Sequence, residues 1–290
     1  MLRITSSGLD GEFTPVEPFV YPTHIDPESL RLLPNKPGVY IFRGDHDAPL
    51  YIGKSINIRA RVLSHLRTPE EARMLAQSRH VEFRRTAGDI GAQLLEAQLI
   101  KELQPLHNKK LRRKREMCAL RLSDAGLPEV VFAKDHDFAT TVGLYGVFGG
   151  RRSAMETLRS IVSEHQLCGI ASGIETGSFG RACFSRQIKR CRGACVGEES
   201  QQDHAARLMQ ALETLRLIQW PFAGEMGIAE ECDGWRQTHV IDHWMYLGSI
   251  DDQCQEVARP KKRSFDIDAY KIIIKPYFAG QFIELNRSVA

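Results

Sequence analysis

Gly38-Val-Tyr-Ile-Phe42 and Leu50-Tyr-Ile-Gly-Lys-Ser55 decide how this chain is read. Residues 38–42 and 50–52 are runs of β-branched and aromatic residues, the second leading directly into Gly53-Lys54-Ser55, and the polar, turn-forming Gly44-Asp-His-Asp47 separates them. That composition predicts a β-hairpin. Asn57 or Ser55 is placed to cap a following helix whose apolar stripe is Ile58, Val62 and Leu66. A short strand at 81–84 comes next, then a strongly periodic helix over 89–103, with Asp89 as the expected N-cap and Pro105 just past its end. The order β-β-α-β-α makes a small module with a three-stranded sheet flanked by helices.

Outward from this module, the 290 residues are 42% hydrophobic and 26% charged, which excludes a disordered chain and predicts two domains or one elaborated one. No stretch reaches the ~18 uninterrupted apolar residues of a membrane helix, and the N-terminus lacks the apolar core of a secretory signal, so the expectation is a cytoplasmic protein without a membrane partner. A proline-rich arm, 1–33, ends in a short helix near 26–33, and the module occupies 34–116. A linker region, 117–220, reads as strands at 119–122 and 130–133, a helix at 153–165, a cysteine-bearing stretch at 168–195 and a helix at 201–218. The remainder, 221–290, reads as a β-rich domain with strand character at 239–247 and 271–278. The fold class is therefore α/β of the mixed α+β kind.

The net charge of +3 conceals a polar distribution: 54–115 carries a net +9, 176–197 a net +5, and the rest −11. Such segregation is the footprint of a polyanion-binding face. No small-molecule substrate is indicated.

Glu96 is the most informative single residue. On a helix it lies beside Ala92, Ile100 and Leu103, at the edge of the apolar stripe, and a carboxylate there is costly unless paired or bound to a cation. A salt bridge to a nearby arginine and a cation site are both open on this evidence. Tyr40 and Tyr51 on paired strands are, by themselves, ordinary cross-strand packing. Yet Gly53 permits close approach at the strand end, and Lys54 and Arg61 project nearby. Two phenols, a lysine, an arginine and one carboxylate are a kit for phosphodiester cleavage. Mg²⁺ or Mn²⁺ can make do with one carboxylate, a phenol can act as base where cations stabilise its phenolate, and an arginine suits the developing phosphate charge.

In order, spacing and residue type, Gly38-Val-Tyr40, Tyr51-Ile-Gly-Lys54, Arg61, Glu96 and Asn108 resemble the GIY-YIG nuclease module, closest to the N-terminal nuclease of UvrC proteins. The resemblance covers 34–110. It implies Glu96 as the metal ligand, Tyr51 as the base for water, Tyr40 and Lys54 as support for that phenolate or contacts to the scissile phosphate, Arg61 at the transition state and Asn108 as a brace. Val39 stands where the motif has isoleucine. His65 stands where UvrC proteins often have tyrosine, and a histidine on a helix reads as a solvated surface group. Arg59, on another helix face than Arg61, and the basic run Lys109, Lys110, Arg112, Arg113, Lys114 and Arg115 are assigned to the DNA backbone.

Cys168, Cys183, Cys191 and Cys195 have the spacing C-x14-C-x7-C-x3-C. Four grouped thiols can hold Zn²⁺ or an iron–sulfur cluster, or can be unliganded small core residues. The x3 spacing fits zinc knuckles poorly, and the similarity of the stretch to UvrC proteins implies a [4Fe–4S] cluster. Cys118, Cys232 and Cys254 are read as structural.

Nothing resembling a second nuclease or a helix-hairpin-helix region follows. The resemblance therefore implies a stand-alone UvrC homologue that makes the 3′ incision near a lesion in damaged double-stranded DNA, on a UvrB–DNA complex. The alternatives are an independent structure-specific DNA nuclease and a DNA-binding scaffold with a vestigial nuclease module.

Overall fold

The structure is a computed structural model, and it describes residues 22–108, 116–254, 257 and 264–285. The basic run 109–115 lies outside the described residues. The N-terminal unit begins with helix α1 (Pro27–Arg31), started by Asp26, whose side chain accepts from the Glu28 and Ser29 N–H groups. Strands β1 (Gly38–Arg43), β2 (Pro49–Ser55) and β3 (His80–Arg85) form an antiparallel sheet in the order β2-β1-β3. Helices α2 (Ile58–Leu66), α3 (Ala72–Gln77) and α4 (Asp89–Leu103) complete it. Of the two proposed caps for α2, Asn57 is the one used, accepting from the Ala60 N–H.

Strand alternation sorts the side chains to two faces. Tyr40 and Phe42 pack with Ile58, Val62 and Leu66 of α2, while Val39, Ile41 and Ile52 pack with Leu99 and Ile100 of α4. The sheet is thus a wall between two helices, with β2 as its outer edge.

In the middle of the chain, β4 (Cys118–Leu122), β5 (Pro128–Phe132) and β6 (Leu144–Phe148) pair antiparallel in the order β5-β4-β6. Helix α5 (Arg151–Glu164) covers this sheet, a loop with the short α6 (Phe184–Gln187) carries the cysteines, and α7 (Gln201–Glu213) packs beside α5. The C-terminal part has β7 (Met226–Cys232), β8 (Trp235–Asp242), β9 (Met245–Ile250), α8 (Ile267–Phe278) and β10 (Phe282–Glu284), with the sheet order β10-β7-β8-β9.

Three expectations fail and the strand expectation at 239–247 is refined, each for a physical reason. Residues 271–278 are helix, not strand. Asp266 caps α8 at the Asp268 and Ala269 N–H groups, and helical spacing puts Ala269, Ile273 and Pro276 on one buried stripe. The β-branched penalty of roughly 0.5 kcal/mol per residue is small beside that burial. Residues 239–247 are two strands joined by a tight turn at His243 and Trp244, with φ values of 50° and 61°. The turn lacks the usual Asn-Gly signal, and the fully buried Trp244 side chain anchors it in the core. The helix expected over 201–218 stops at Glu213, because Leu215 and Leu217 exchange backbone hydrogen bonds with Gly146 and Leu144 of β6. Asp89 is the first helical residue of α4 rather than its cap; the cap position is Gly88.

One core runs through all three parts. Leu94 of α4 is buried in the same cluster as Ala119 and Leu144 of the middle sheet and Ile228, Ile241, Trp244 and Ile273 of the C-terminal part.

Candidate nuclease site and cysteine centre

Edge strand β2 places its side chains alternately, Tyr51 toward α2 and Lys54 toward α4. Opposite Gly53 lies Tyr40, and a Cβ at position 53 would stand 2.3 Å from the Tyr40 hydroxyl. The glycine between Ile52 and Lys54 therefore exists to let the Tyr40 ring lie across the strand.

On the α2 face, Tyr40 and Tyr51 rings are 6.3 Å apart by centroid, with the His65 ring 5.3 and 5.4 Å from them. His65 is not a solvated surface group. It is 2% exposed, Nε2 is 2.6 Å from the Tyr40 hydroxyl, and Nδ1 is 2.8 Å from Glu71 Oε1. Burial lowers the His65 pKa against the pull of Glu71, so the ring is neutral: Nδ1–H donates to Glu71 and Nε2 accepts from Tyr40. Both phenols are raised above the ordinary range, first by burial; Tyr51 raises Tyr40 further, whereas Glu96 and Glu71 raise Tyr51 and a hydrogen bond with Tyr40 acts to lower it. The exposed Arg61 guanidinium faces Tyr40, Tyr51 and Glu71.

On the α4 face, Lys54 Nζ pairs with Asp89 at 2.7 Å. Glu96 has no ion pair among the described residues, so the arginine bridge left open above is not formed. Burial pushes its pKa up to about 7, against the Lys54 ammonium and backbone N–H and with the Asp89 charge. Glu96 also interacts with both tyrosines, so the two faces meet at the exposed edge of β2. Asn108 closes that edge: its side chain accepts from the Ile52 N–H at 2.9 Å and donates to the Ile52 carbonyl at 2.8 Å.

Arg59 lies away from this group and donates to the Leu30 and Arg31 carbonyls, tying α2 to the C-terminal end of α1. Sequence reasoning missed His65, Glu71 and Asp89. The position of His65, three residues after Val62 and seven after Ile58, already put it on the buried stripe. Asp89, seven residues before Glu96, shares its helix face. Glu71 lies beyond α2 and carried no such signal.

The cysteine stretch does converge. The sulfurs of Cys168, Cys183, Cys191 and Cys195 all lie within 4.8 Å of one another and are buried. The backbone N–H groups of Arg186, Gly193 and Cys183 point at Cys183, Cys191 and Cys195 sulfurs at 3.3, 3.3 and 3.4 Å. Such N–H donors favour thiolates, and four converging thiols fit a metal centre rather than plain packing. Burial pushes the Cys183 thiol up to about 12, so filling the centre must release protons. His204 Nε2 accepts from the Cys168 N–H at 3.1 Å and holds that segment in place. Arg181, Lys189, Arg190 and Arg192 are exposed on the same loop. Of the other thiols, Cys118 is in the core, Cys232 is half-buried and Cys254 is exposed.

No described helix is long and apolar enough to cross a membrane. Residues 36–109 match the UvrC-like GIY-YIG domain, 117–214 the UvrC/Cho excinuclease middle domain and 225–288 the excinuclease Cho C-terminal domain. Excinuclease cho of Escherichia coli K12 is 48% identical over 283 residues, covering 97% of this chain and 94% of that protein. Its Salmonella typhi counterpart is 47% identical over 95% of this chain. UvrABC system protein C of Hyphomonas neptunium is 31% identical over 70% of this chain but only 34% of its own length. Among solved structures, the GIY-YIG N-terminal endonuclease domain of Thermotoga maritima UvrC, bound to magnesium, is 33% identical, covers 28% of this chain and 93% of that one, and has a TM-score of 0.26. With all three domain families matched in order and near-half identity along almost the whole chain, this protein belongs to the excinuclease Cho family of UvrC-related nucleotide excision repair nucleases.

Proposed function

We propose that this chain is a divalent-cation-dependent endonuclease that hydrolyses one phosphodiester on the 3′ side of a lesion, in DNA already engaged by UvrB. The observation that carries the reading is the meeting of Tyr40, Tyr51, Lys54, Arg61 and an ion-pair-free, half-buried Glu96 at one exposed sheet edge. Lesion choice falls to the partner, because the site offers phosphate-binding groups and no reader of base edges. Four reduced thiols at the metal centre support a cytoplasmic location.

Glu96 is the group to hold Mg²⁺ or Mn²⁺: a single carboxylate, raised to about 7 by burial, ionises readily once a cation offsets that burial. When bound, the cation would supply Lewis-acid stabilisation of phosphate and leaving oxygen. The protein's own residues manage the proton. Tyr51 accepts it from the attacking water, its own proton passing to Tyr40 and from Tyr40 to His65 Nε2, which already accepts that hydrogen bond. Glu71 steadies the resulting imidazolium. Arg61, exposed at the mouth, contacts the phosphate as negative charge builds. The Lys54–Asp89 pair keeps the ammonium beside Glu96 and the phosphate path.

At the cysteine centre, the resemblance supports a [4Fe–4S] cluster that orders the basic loop for DNA. The sulfur separations, all within 4.8 Å, match a single tetrahedral Zn²⁺, whose ligand sulfurs stand about 3.8 Å apart, and would have to widen to seat a four-iron cluster.

The test is incision mapping on a lesion-bearing duplex, with the damage-recognition subunits and Mg²⁺. One partner-dependent nick 3′ of the lesion, lost in Glu96→Gln, is expected. Unchanged incision by that variant would sink the mechanism. Robust cleavage of undamaged DNA without partners would favour an independent nuclease, and binding without cleavage a scaffold.

A further inference from the structure

Helix α4 begins without a cap of its own, since Gly88 has no side chain to offer its first-turn N–H groups. The acceptor comes from another domain. Glu230 on β7 accepts from the Ile90 N–H at 3.0 Å and from the Gly91 N–H at 2.7 Å. His239 Nε2, 2.9 Å from Glu230, fixes the carboxylate, and Ser249 fixes His239 Nδ1 at 2.7 Å. These contacts and the hydrogen bonds to α4 hold Glu230 ionised, its pKa lowered despite the burial that acts to raise it.

The nuclease sequence is shaped around this intrusion. A Cβ at Gly88 would stand 2.2 Å from the Glu230 carboxylate, and one at Gly91 2.3 Å from the His239 ring. At the other end of α4, Lys101 Nζ pairs with Asp266 at 2.6 Å and Asp268 at 2.9 Å, in the first turn of α8. Leu94 between them is sealed in the shared core. The hairpin end of β7 and β8 adds Asp233 on Lys36 and Trp235 under Arg85.

Asp89 and Glu96 ride on this clamped helix. We infer that Glu230 is a positioning residue of the nuclease centre: from the C-terminal domain it caps the helix that carries Asp89 and Glu96, so cation affinity depends on the docking of that domain. The inference rests on the reading of Glu96 as the cation ligand. Without the cap the first turn frays, Asp89 releases Lys54, and Glu96 loses its set position.

Three full-length variants test it: Glu230→Ala, Glu230→Gln, and Glu230→Ala combined with Gly88→Asp. An aspartate at 88 enters the space Glu230 vacates and offers its carboxylate to the same Ile90 and Gly91 N–H groups, as an N-cap does. Glu230→Ala is expected to lower kcat and Mn²⁺ affinity, read by electron paramagnetic resonance, each by about tenfold, with KM for DNA nearly unchanged. Gly88→Asp is expected to bring both back to within about threefold. Wild-type kcat and Mn²⁺ affinity in Glu230→Ala would overturn the inference. So would absence of rescue in a double variant whose β7–β9 amides stay protected from hydrogen exchange. If the alanine variant does not fold, Glu230→Gln keeps the volume and one acceptor oxygen; intermediate Mn²⁺ affinity supports the cap, and wild-type affinity opposes it. Faster exchange at Ile90 and Gly91 in Glu230→Ala reads the cap without DNA or metal. A wild-type protein that does not incise, or whose Mn²⁺ binding survives Glu96→Gln, would strike the proposed function instead.

Discussion

The Tyr40 hydroxyl donates to His65 Nε2 at 2.6 Å while Glu71 accepts from His65 Nδ1, and on the proposed mechanism this chain is the proton path, ending on His65. Both phenols sit above their ordinary pKa, so neither ionises at neutral pH by release to solvent. On the proposed mechanism, the neutral His65 within hydrogen-bond reach supplies the acceptor.

Replacing His65 with Phe should therefore lower kcat by about 10²-fold, in the range of general-base losses, and change its pH profile. Wild-type activity should be lost below an acid limb and stay level through neutral pH, because the buried His65 is already neutral there. The variant's residual rate should instead climb with pH toward phenol ionisation. A parallel, merely scaled-down profile would show that His65 only packs.

Glu96 gives a stability signature with a definite sign. Its folded pKa of about 7 exceeds the ordinary 4.5, so between those values the folded state holds a proton that the unfolded chain has lost. Stability should fall as pH rises through that window, by on the order of 1–3 kcal/mol. Glu96→Gln should remove that slope and raise Tm at pH 8, while Mg²⁺ should raise Tm of the wild type and not of the variant. Thermal denaturation with and without Mg²⁺ checks both.

Gly53→Ala adds a methyl 2.3 Å from the Tyr40 oxygen. Either strand or ring must shift, at a cost of about 1–3 kcal/mol, and incision should fall with it. Chemical denaturation together with single-turnover incision reads the two losses on one protein.

At the cysteine centre, protein purified without oxygen should carry iron and acid-labile sulfide, and Cys183→Ser should abolish both. Stoichiometric zinc without iron would identify a tetrahedral zinc site. In either case loading should release protons, since burial holds the Cys183 thiol up near 12.

Asn108→Ala removes both hydrogen bonds to Ile52 and leaves edge strand β2 unbraced. A loss of about 1–2 kcal/mol in stability and a larger loss in kcat than in KM are expected. Equal losses in both would place Asn108 outside the positioning of Tyr51 and Lys54.

Local pattern was enough for the hairpin, for α2 with its Asn57 cap and for α4, because each is specified by residues within a turn or two of one another. It was also enough to nominate Tyr40, Tyr51, Lys54, Arg61 and Glu96, while Asn108 came from the resemblance to the GIY-YIG module. It failed where partners are distant. The isoleucines of α8 look like strand until the shared core claims one helical stripe, and the turn at His243 and Trp244 is held by what Trp244 packs against. His65 was legible as a stripe position, but its role depends on Glu71, Tyr40 and a sealed aromatic pocket. Lys54 was found alone; its pairing with Asp89 needed β2 and α4 side by side. The sequence by itself determined that these reactive groups belong to one small module. Only the tertiary structure decided that the helix carrying Glu96 is capped by Glu230, some 140 residues away, because a bare helix N-terminus can be satisfied by any acceptor that folding brings to it.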